Sequence, residues 1–367
     1  MGDATMSQGN LDQLIRRNTA FLGNLFRRGP FEGHGFICHP PSKPSYQNPL
    51  GDYTLSDRPV SEWVPDLVEN YRQQCEFLEK LGDHNVPMVG LMTGTHLYAA
   101  AVGCKVHRYP DTNPAALPLV RTSQEADALA EPDVWKSPTL YRVFELAEAV
   151  RKELGRDVYF GPPDMQSGFD SASLVWNKED FFCAMIAEPD AAKRLIGKCA
   201  SLYKKFLLAL RKEVPTCSPA HCPRPWAPPD LAPWLSNDEC GAFSTEMFEE
   251  FCLPELQDLS STFGGLGMHC CADADHQFES FKKIPNFYAF NRVPAKRSGG
   301  WLELFKHFSG PAAPVHAVGW QSAKDVKATI DMAGPGTRFV FVYSDANLDA
   351  CRAWLDAVHD IAPVAVA

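Results

Sequence analysis

The residues best suited to chemistry lie in the segment GGLGMHCCADAD, which covers residues 264–275. Within it, His269 and Cys271 form an H-x-C pair directly after a short apolar run. Alternate residues of an extended chain face the same side, so both side chains can reach one ion while Cys270 faces the opposite way. Imidazole nitrogen and thiolate sulfur are zinc ligands, and the spacing therefore predicts part of a zinc site. The alternative is a buried histidine beside two unreactive thiols.

Two other groups of residues could take part in similar chemistry. Asp238 and Glu239 are adjacent acids at the end of a predicted strand, where either could be a metal ligand, a general acid or base, or a charge at the start of the next helix. Cys217, His221 and Cys222 form a second possible cluster, but a structural zinc site needs four ligands and no fourth lies nearby in the sequence. We interpret this second group as thiols of a surface loop.

Hydrophobic periodicity predicts the elements that would position these residues. Apolar residues at helical spacing alternate with short apolar runs along most of the chain. The predicted strands cover residues 35–38, 87–92, 157–161, 233–236, 266–270, 286–291, 314–318 and 338–343. Strands that alternate with helices in this number predict an α/β fold, a (β/α)8 TIM barrel that forms a single domain over residues 1–367. An open, doubly wound sheet is the alternative.

Two segments lie outside this regular alternation. Residues 1–30 predict an N-terminal helical extension, because leucine and isoleucine side chains recur there at roughly helical spacing. Residues 215–233 form a proline-rich loop that we expect to lie over the surface or to cover the barrel mouth.

A TIM barrel places the residues that follow its strands around one pocket. In this chain those positions are polar and rich in acids and histidines. They are His39, Thr93, His96, Asp164, Gln166, Asn237, Asp238, Glu239, His269, Cys271, Asn291, Trp320, Gln321, Tyr343 and Asp345. We therefore expect the functional site in a pocket at the carboxyl ends of the strands.

Composition excludes some classes of function. The formal net charge is −10, and basic runs do not exceed pairs such as Lys282-Lys283, which argues against a nucleic-acid-binding face. No apolar run is long enough to span a membrane, and the first residues lack the apolar segment of a secretion signal. We therefore expect a cytoplasmic protein that acts on a small molecule and binds neither nucleic acid nor membrane. In that compartment most of the 12 cysteines would be free thiols.

The order of these pieces resembles that of the uroporphyrinogen decarboxylase-like superfamily, which includes zinc-dependent corrinoid methyltransferases. The resemblance covers residues 83–360 and is carried by LGDHNVPMVGLMTGTHLYAAAVGCKV, GPPDMQSGFDSASLVWNKEDFFCAMIAEPDAAKRLI, SNDECGAFSTEMFEEFCLPELQDLSSTFGGLGMHCCAD, IPNFYAFN and AVGWQSAKDVKATIDMAGPGTRFVFV. The third segment is the most specific. It combines a strand-end acid, a helix with Phe248, Phe251 and Pro254, and the H-x-C strand.

The resemblance implies a barrel fold and, for the methyltransferase branch, a zinc ion held by His269, Cys271 and a later cysteine. In this chain the last strand ends with Tyr343-Ser344-Asp345 where that cysteine would be expected, and Cys351 lies several residues farther on. Glu239 or Asp345 could then complete the zinc shell. The arginine-rich segment of true uroporphyrinogen decarboxylases has no counterpart in GHGFICHPPSKPS, around the first strand, which argues against uroporphyrinogen as the substrate.

From the resemblance and the strand ends together we predict a methyltransferase-type enzyme that transfers a methyl group to or from a zinc-activated small substrate. The expected catalytic residues are Asp164, Glu239 and His269, and the expected metal ligands are His269, Cys271, Glu239 and Asp345. The expected substrate contacts are His39, His96, Gln166, Asn291, Trp320 and Tyr343. A corrinoid delivered by a partner protein would supply the methyl group. The alternatives are a metal-free decarboxylase or lyase, with Asp164 and His269 as acid and base, and a binding protein with a decayed metal site.

Overall fold

The computed structural model describes residues 2–40, 59–91, 94–112, 114–294 and 299–361. Its strands are β1 (Gly35–His39), β2 (Val89–Gly90), β3 (Val106–His107), β4 (Ala115–Ala116), β5 (Phe160–Gly161), β6 (Trp234–Ser236), β7 (Leu266–Cys270), β8 (Phe287–Arg292), β9 (Val315–Gly319) and β10 (Phe339–Ser344). Each predicted strand is present. The antiparallel hairpin of β3 and β4 is an addition that the periodicity did not predict.

The main sheet has six parallel strands in the order β1-β10-β9-β8-β7-β6. A second parallel pair joins β2 to β5, and a bridge between Gln166 and Ser236 links the exit of β5 to β6. Pairing of the first strand with the last is typical of a TIM barrel, and the predicted α/β fold class is confirmed. Within the described ranges β1 and β2 do not pair, so the hydrogen-bonded ring is not continuous there.

Helices connect the strands. They are α1 (Gly2–Phe26), α2 (Val64–Leu81), α3 (Leu97–Val102), α4 (Ser123–Ala128), α5 (Pro138–Leu154), α6 (Gly168–Val175), α7 (Lys178–Ala187), α8 (Pro189–Glu213), α9 (Thr245–Phe251), α10 (Leu253–Phe263), α11 (Phe278–Phe281), α12 (Gly300–His307), α13 (Ala323–Ala333) and α14 (Leu348–Ile361). In the long helix α8, a proline occupies the first turn, basic residues lie in the last, and buried apolar residues recur at helical spacing. Of the helices in the described ranges, none is long and apolar enough to cross a membrane.

The glycines before the H-x-C pair have structural roles. Gly264 ends α10 in the left-handed conformation with φ of 79°, which favours glycine. Gly267 lies beneath the Trp234 indole, where a Cβ would overlap the ring. Trp234 is buried, donates from Nε1 to the Tyr288 hydroxyl at 2.9 Å and meets Phe26 of α1 edge to face. The N-terminal helix thus covers the barrel end opposite to the strand exits.

The proline-rich segment 215–233 runs through the barrel wall instead of over the surface. Residues 216–219 lie between β5 and β6: Ser218 N donates to Phe160 O at 2.8 Å, and Trp234 N donates to Pro219 O at 3.3 Å. From Cys217 to Pro228 the chain is buried except at Cys222 and Arg224, which are half-buried. The expectation of surface thiols is therefore wrong for this segment, which brings its side chains into the barrel mouth.

Candidate functional site

The exit of β7 brings three possible metal donors together. Ligand atoms of Asp238, His269 and Cys271 all lie within 4.8 Å of one another. His269 Nε2 is 3.9 Å from Asp238 Oδ2, and Asp238 Oδ1 accepts a hydrogen bond from Cys271 N at 2.7 Å. These are one nitrogen, one sulfur and one carboxylate donor, which is a set that zinc binds.

The period-two alternation of β7 sets the two neighbouring thiols on opposite sides. Cys270 is fully buried, and its sulfur lies 3.8 Å from the sulfur of Cys240, away from His269. Cys271 is exposed and faces the same side as His269. The strand register therefore makes Cys271, and not Cys270, available to an ion in the mouth.

Asn291 of β8 fixes the orientation of the His269 ring. The amide nitrogen of Asn291 donates to Ala317 O at 2.6 Å, which sets the amide so that its oxygen faces His269. His269 Nδ1 lies 2.5 Å from this oxygen and so acts as the donor. The other nitrogen, Nε2, faces Asp238 and Cys271, where it can donate its proton or, once deprotonated, bind a metal ion. Metal-binding histidines are typically oriented in this way by a second hydrogen bond.

Asp170 at the start of α6 holds the chain that follows β6. Its carboxylate accepts hydrogen bonds from Asp238 N at 2.8 Å and from Glu239 N at 3.2 Å. Burial, and then the charge of Asp238, raises the pKa of Asp170 well above its usual value. Asp238 is thereby turned toward His269. Glu239 instead lies 2.5 Å from Lys178 Nζ and is not part of the three-donor group.

The other predicted ligand, Asp345, lies after β10, and β8 and β9 separate β10 from β7 in the main sheet. It accepts hydrogen bonds from Asn347 N at 2.8 Å and from the Tyr343 hydroxyl at 3.4 Å, and it does not belong to the three-donor group. Tyr343 stacks on Trp354 with ring centroids 5.0 Å apart. Trp320 follows β9 with a φ of 55° and is 70% exposed. These residues form a part of the rim separate from His269.

The segment 217–224 contributes residues that sequence reasoning placed elsewhere. His221 Nε2 lies 3.1 Å from the Ser236 hydroxyl, and its ring is edge-on to His269 with centroids 6.0 Å apart. Pro223 packs against Gly319 of β9, where an added Cβ would lie 3.3 Å from the proline. The Cys222 thiol forms a hydrogen bond with His269. Cys222 therefore supplies a second thiol beside the group formed by Asp238, His269 and Cys271.

The charges around His269 favour a cation. Burial lowers the pKa of His269, but hydrogen bonds with the thiols of Cys222 and Cys271 and the charge of Asp238 outweigh burial and raise the pKa to about 12. The pKa of Cys271 still lies above its usual value: His269 lowers it, while burial and Asp238 raise it. Two thiols and one carboxylate thus lie around the same imidazole ring. A metal ion would satisfy all three.

A second part of the mouth surrounds Asp164, which follows β5. Asp164 accepts from the Gln166 amide at 2.6 Å and from Gly94 N at 3.3 Å, and it lies 3.7 Å from His221 Nε2. Of the other predicted substrate contacts, His39 at the end of β1 lies 3.2 Å from the Asn85 side-chain oxygen, and burial lowers the pKa of His39 to about 4. His96 is also buried, and burial lowers its pKa.

Together the fold and the mouth define the class of protein: an α/β protein of the TIM-barrel type with its polar residues at the strand exits. The family model described as uroporphyrinogen decarboxylase (URO-D) matches residues 76–217. Residues 76–217 therefore match the family that the sequence resemblance indicated. The matched range ends before Asp238 and His269, so the match does not cover the three-donor group.

Solved structures show the same fold. Among the 27 chains that match is a methyltransferase from Methanosarcina mazei, with a TM-score of 0.65 and 15% sequence identity over 94% of this chain and 98% of that chain. At 15% sequence identity this similarity shows that the two chains share a fold. The comparison with curated proteins gave no match.

Proposed function

We propose that this protein is a methyltransferase-type enzyme that transfers a methyl group to or from a zinc-activated thiol or thioether substrate in the barrel mouth. The observation that carries the proposal is the meeting of Asp238, His269 Nε2 and Cys271 within 4.8 Å, with the other nitrogen of His269 held by Asn291. The superfamily supports an enzyme, and the methyltransferase of similar fold supports the type of reaction.

The residues fit a zinc ion of the catalytic kind. Catalytic zinc sites have three protein ligands and a further position for water or substrate, and the tight group supplies nitrogen, sulfur and oxygen. Cys222 replaces, from a different segment, the cysteine that the superfamily pattern would put after the last strand. When bound, zinc lowers the pKa of a substrate thiol so that it is a thiolate near neutral pH.

The side chains of the mouth hold and enclose the reactants. Asp170 keeps Asp238 aimed at His269, and Asn291 keeps the Nε2 lone pair of His269 available. Asp164 and Gln166 position the substrate on the opposite side. In the reaction a bond forms between substrate sulfur and the methyl carbon, and the bond from that carbon to its donor breaks with the electron pair remaining on the donor. We assign the donor to a corrinoid protein that docks at the mouth, and the reaction to the cytoplasm.

Metal analysis and a transfer assay test this proposal together. Protein grown with zinc should contain about one zinc per chain and should methylate 3-mercaptopropionate from methylcobalamin; chelation should abolish the transfer, and zinc should restore it. The matched variants are Cys271→Ser, which should lose both properties, and Cys270→Ser, which should keep both. A zinc-loaded protein with no transfer above that of His269→Ala would contradict the proposal.

A metal-free decarboxylase or lyase is the second candidate. The observation that favours it is the Asp164–His221 pair, whose atoms lie 3.7 Å apart in the same mouth. Burial lowers the pKa of His221 to about 4, so the ring is neutral at pH 7 and could accept a proton. This activity would survive chelation and would be lost in Asp164→Asn, whereas zinc-dependent transfer is lost on chelation.

A further inference from the structure

Arg224 brings a cation into the barrel mouth through the proline-rich segment. Its guanidinium lies against Gly90 of β2, where an added Cβ would be 3.4 Å from Nη1. It is half-buried, and it forms neither a salt bridge nor a hydrogen bond with any residue in the described part of the chain. Buried or half-buried arginines are normally paired, because desolvation of an unpaired charge is costly.

The backbone at Arg224 is held in an uncommon conformation. Its φ of 67° lies in the left-handed region, which residues other than glycine seldom adopt. Such conformations persist where the surrounding structure imposes them and are concentrated at functional sites. The packing of Pro223 against Gly319 and the contact of His221 with Ser236 fix the chain on one side of Arg224. The side chain is thus directed into the mouth.

In the ranges that the structure describes, no acid forms a salt bridge with this guanidinium. Cys222 and then Asp164 favour its charge and act against the effect of burial, but Asp164 already accepts hydrogen bonds from Gln166 and Gly94. Arginine keeps its proton in proteins even where burial lowers its pKa. Among the described residues, Arg224 is therefore a forked cation in the mouth without a hydrogen-bonded or salt-bridged partner.

We propose that Arg224 binds a carboxylate group of the substrate. The planar guanidinium can donate two parallel hydrogen bonds to a carboxylate, and the enclosed position strengthens them. Arg224 follows Cys222 by two residues, so the α-carbons of the anion-binding residue and of the thiol beside His269 lie within about 7 Å of each other. The placement of the reacting sulfur near His269 rests on the proposed function, whereas the carboxylate site itself does not require zinc.

The test compares 3-mercaptopropionate with 3-mercaptopropanamide, which differ at the carboxyl end alone. Calorimetry on the full-length protein should show that the carboxylate binds about 10- to 100-fold more tightly than the amide. Arg224→Gln should remove this preference. Arg224→Lys should keep part of it, because the charge remains and the fork is lost. Arg121→Gln, at an exposed arginine paired with Asp180, should behave as wild type.

Two results would overturn the proposal: equal affinity of wild type for the two ligands, or an unchanged preference in folded Arg224→Gln. If Arg224→Gln fails to fold, a full wild-type preference in Arg224→Lys would count against the forked contact. Zinc content is measured in the same samples. If the protein holds no zinc but still prefers the carboxylate through Arg224, the proposed function is contradicted and the carboxylate site stands. If the protein binds zinc but shows no preference for the carboxylate, the carboxylate site is contradicted and the proposed function stands.

Discussion

The two sides of the barrel mouth have opposite electrostatic character. On one side Asp238, Cys271 and Cys222 surround His269 and raise its pKa to about 12 against the effect of burial. On the other side burial dominates, and the pKa of His221 falls to about 4 although its ring is 6.0 Å from that of His269. Equal burial thus gives opposite protonation because the neighbouring groups differ. This difference underlies our proposals that one side binds a cation and that the other, at Arg224, binds an anion.

The largest expected effect comes from removing a donor on the His269 side. His269→Ala and Cys271→Ser should each weaken zinc binding by more than the roughly 10- to 100-fold typical of residues that only orient a ligand. Cys270→Ser should leave zinc affinity unchanged, because that sulfur faces Cys240. Competition with a chromophoric chelator measures the affinities. Loss of zinc in Cys270→Ser with retention in Cys271→Ser would reverse the assigned strand register.

Cys222 lies where the two sides of the mouth meet, and Cys222→Ser tests whether its thiol contributes to metal binding. The thiol contacts His269 but lies outside the tight group of three donors. We expect zinc to be retained with lower affinity, and cobalt-substituted protein to lose part of its sulfur-to-cobalt charge-transfer absorption. Cys217→Ser is the matched control in the same segment, since this buried sulfur contacts Ser218 O. Unchanged absorption in Cys222→Ser would exclude the thiol as a ligand.

A smaller effect is expected at Asn291. Asn291→Ala removes the acceptor of the His269 Nδ1 proton and frees the ring, so zinc affinity should fall about 10- to 100-fold. Asn291→Asp keeps an oxygen acceptor and should lose less. The same chelator competition gives both values. If Asn291→Ala and Asn291→Asp lowered the zinc affinity equally, Asn291 would not act by orienting His269.

Glu255 is a buried carboxyl group whose pKa, like those of the two histidines, is set by burial and by its neighbours. Burial, which outweighs the hydrogen bonds from the backbone N–H groups of Phe169 and Gly168, raises its pKa from 4.5 to about 8. The folded state then holds the proton more tightly, so its stabilisation is complete below pH 4.5 and is lost as the pH rises through about 8.

The Glu255→Gln variant, which cannot ionise, should flatten the fall in stability over that interval. Urea unfolding midpoints across the interval measure the effect. Glu250→Gln, at an exposed position paired with Lys193, should keep the wild-type slope. A Glu255→Gln protein with the full wild-type slope would show that Glu255 ionises normally in the folded protein.

Much of this architecture follows from local sequence pattern. Alternating helices and strands predicted the barrel, because each strand carries its own apolar signal. The period of two predicted that His269 and Cys271 share a side while Cys270 does not. The same rule could not choose between Asp238 and Glu239, because β6 ends at Ser236 and Asp238 has a helical backbone conformation.

The contributions of Cys222 and Arg224 could not be read from local pattern. They depend on the path of residues 216–219 between β5 and β6, which is fixed by backbone hydrogen bonds to Phe160 and Trp234. Such long-range pairing leaves no periodic signal in a proline-rich loop. The sequence did contain a chemical signal, because Cys217, His221 and Cys222 lie close together in it. Such a group of possible metal ligands can indicate a site even when fewer than four are present.

Zinc-edge X-ray absorption on protein purified with zinc tests the central claim most directly. A site built from Asp238, His269 and Cys271, with the Cys222 thiol beside it, predicts a mixed shell, with sulfur at about 2.3 Å and nitrogen or oxygen at about 2.0–2.1 Å. About one zinc per chain with this shell is the expected result. A shell of nitrogen and oxygen without sulfur, or protein that retains no zinc, would contradict the assignment of the His269 side as a metal centre.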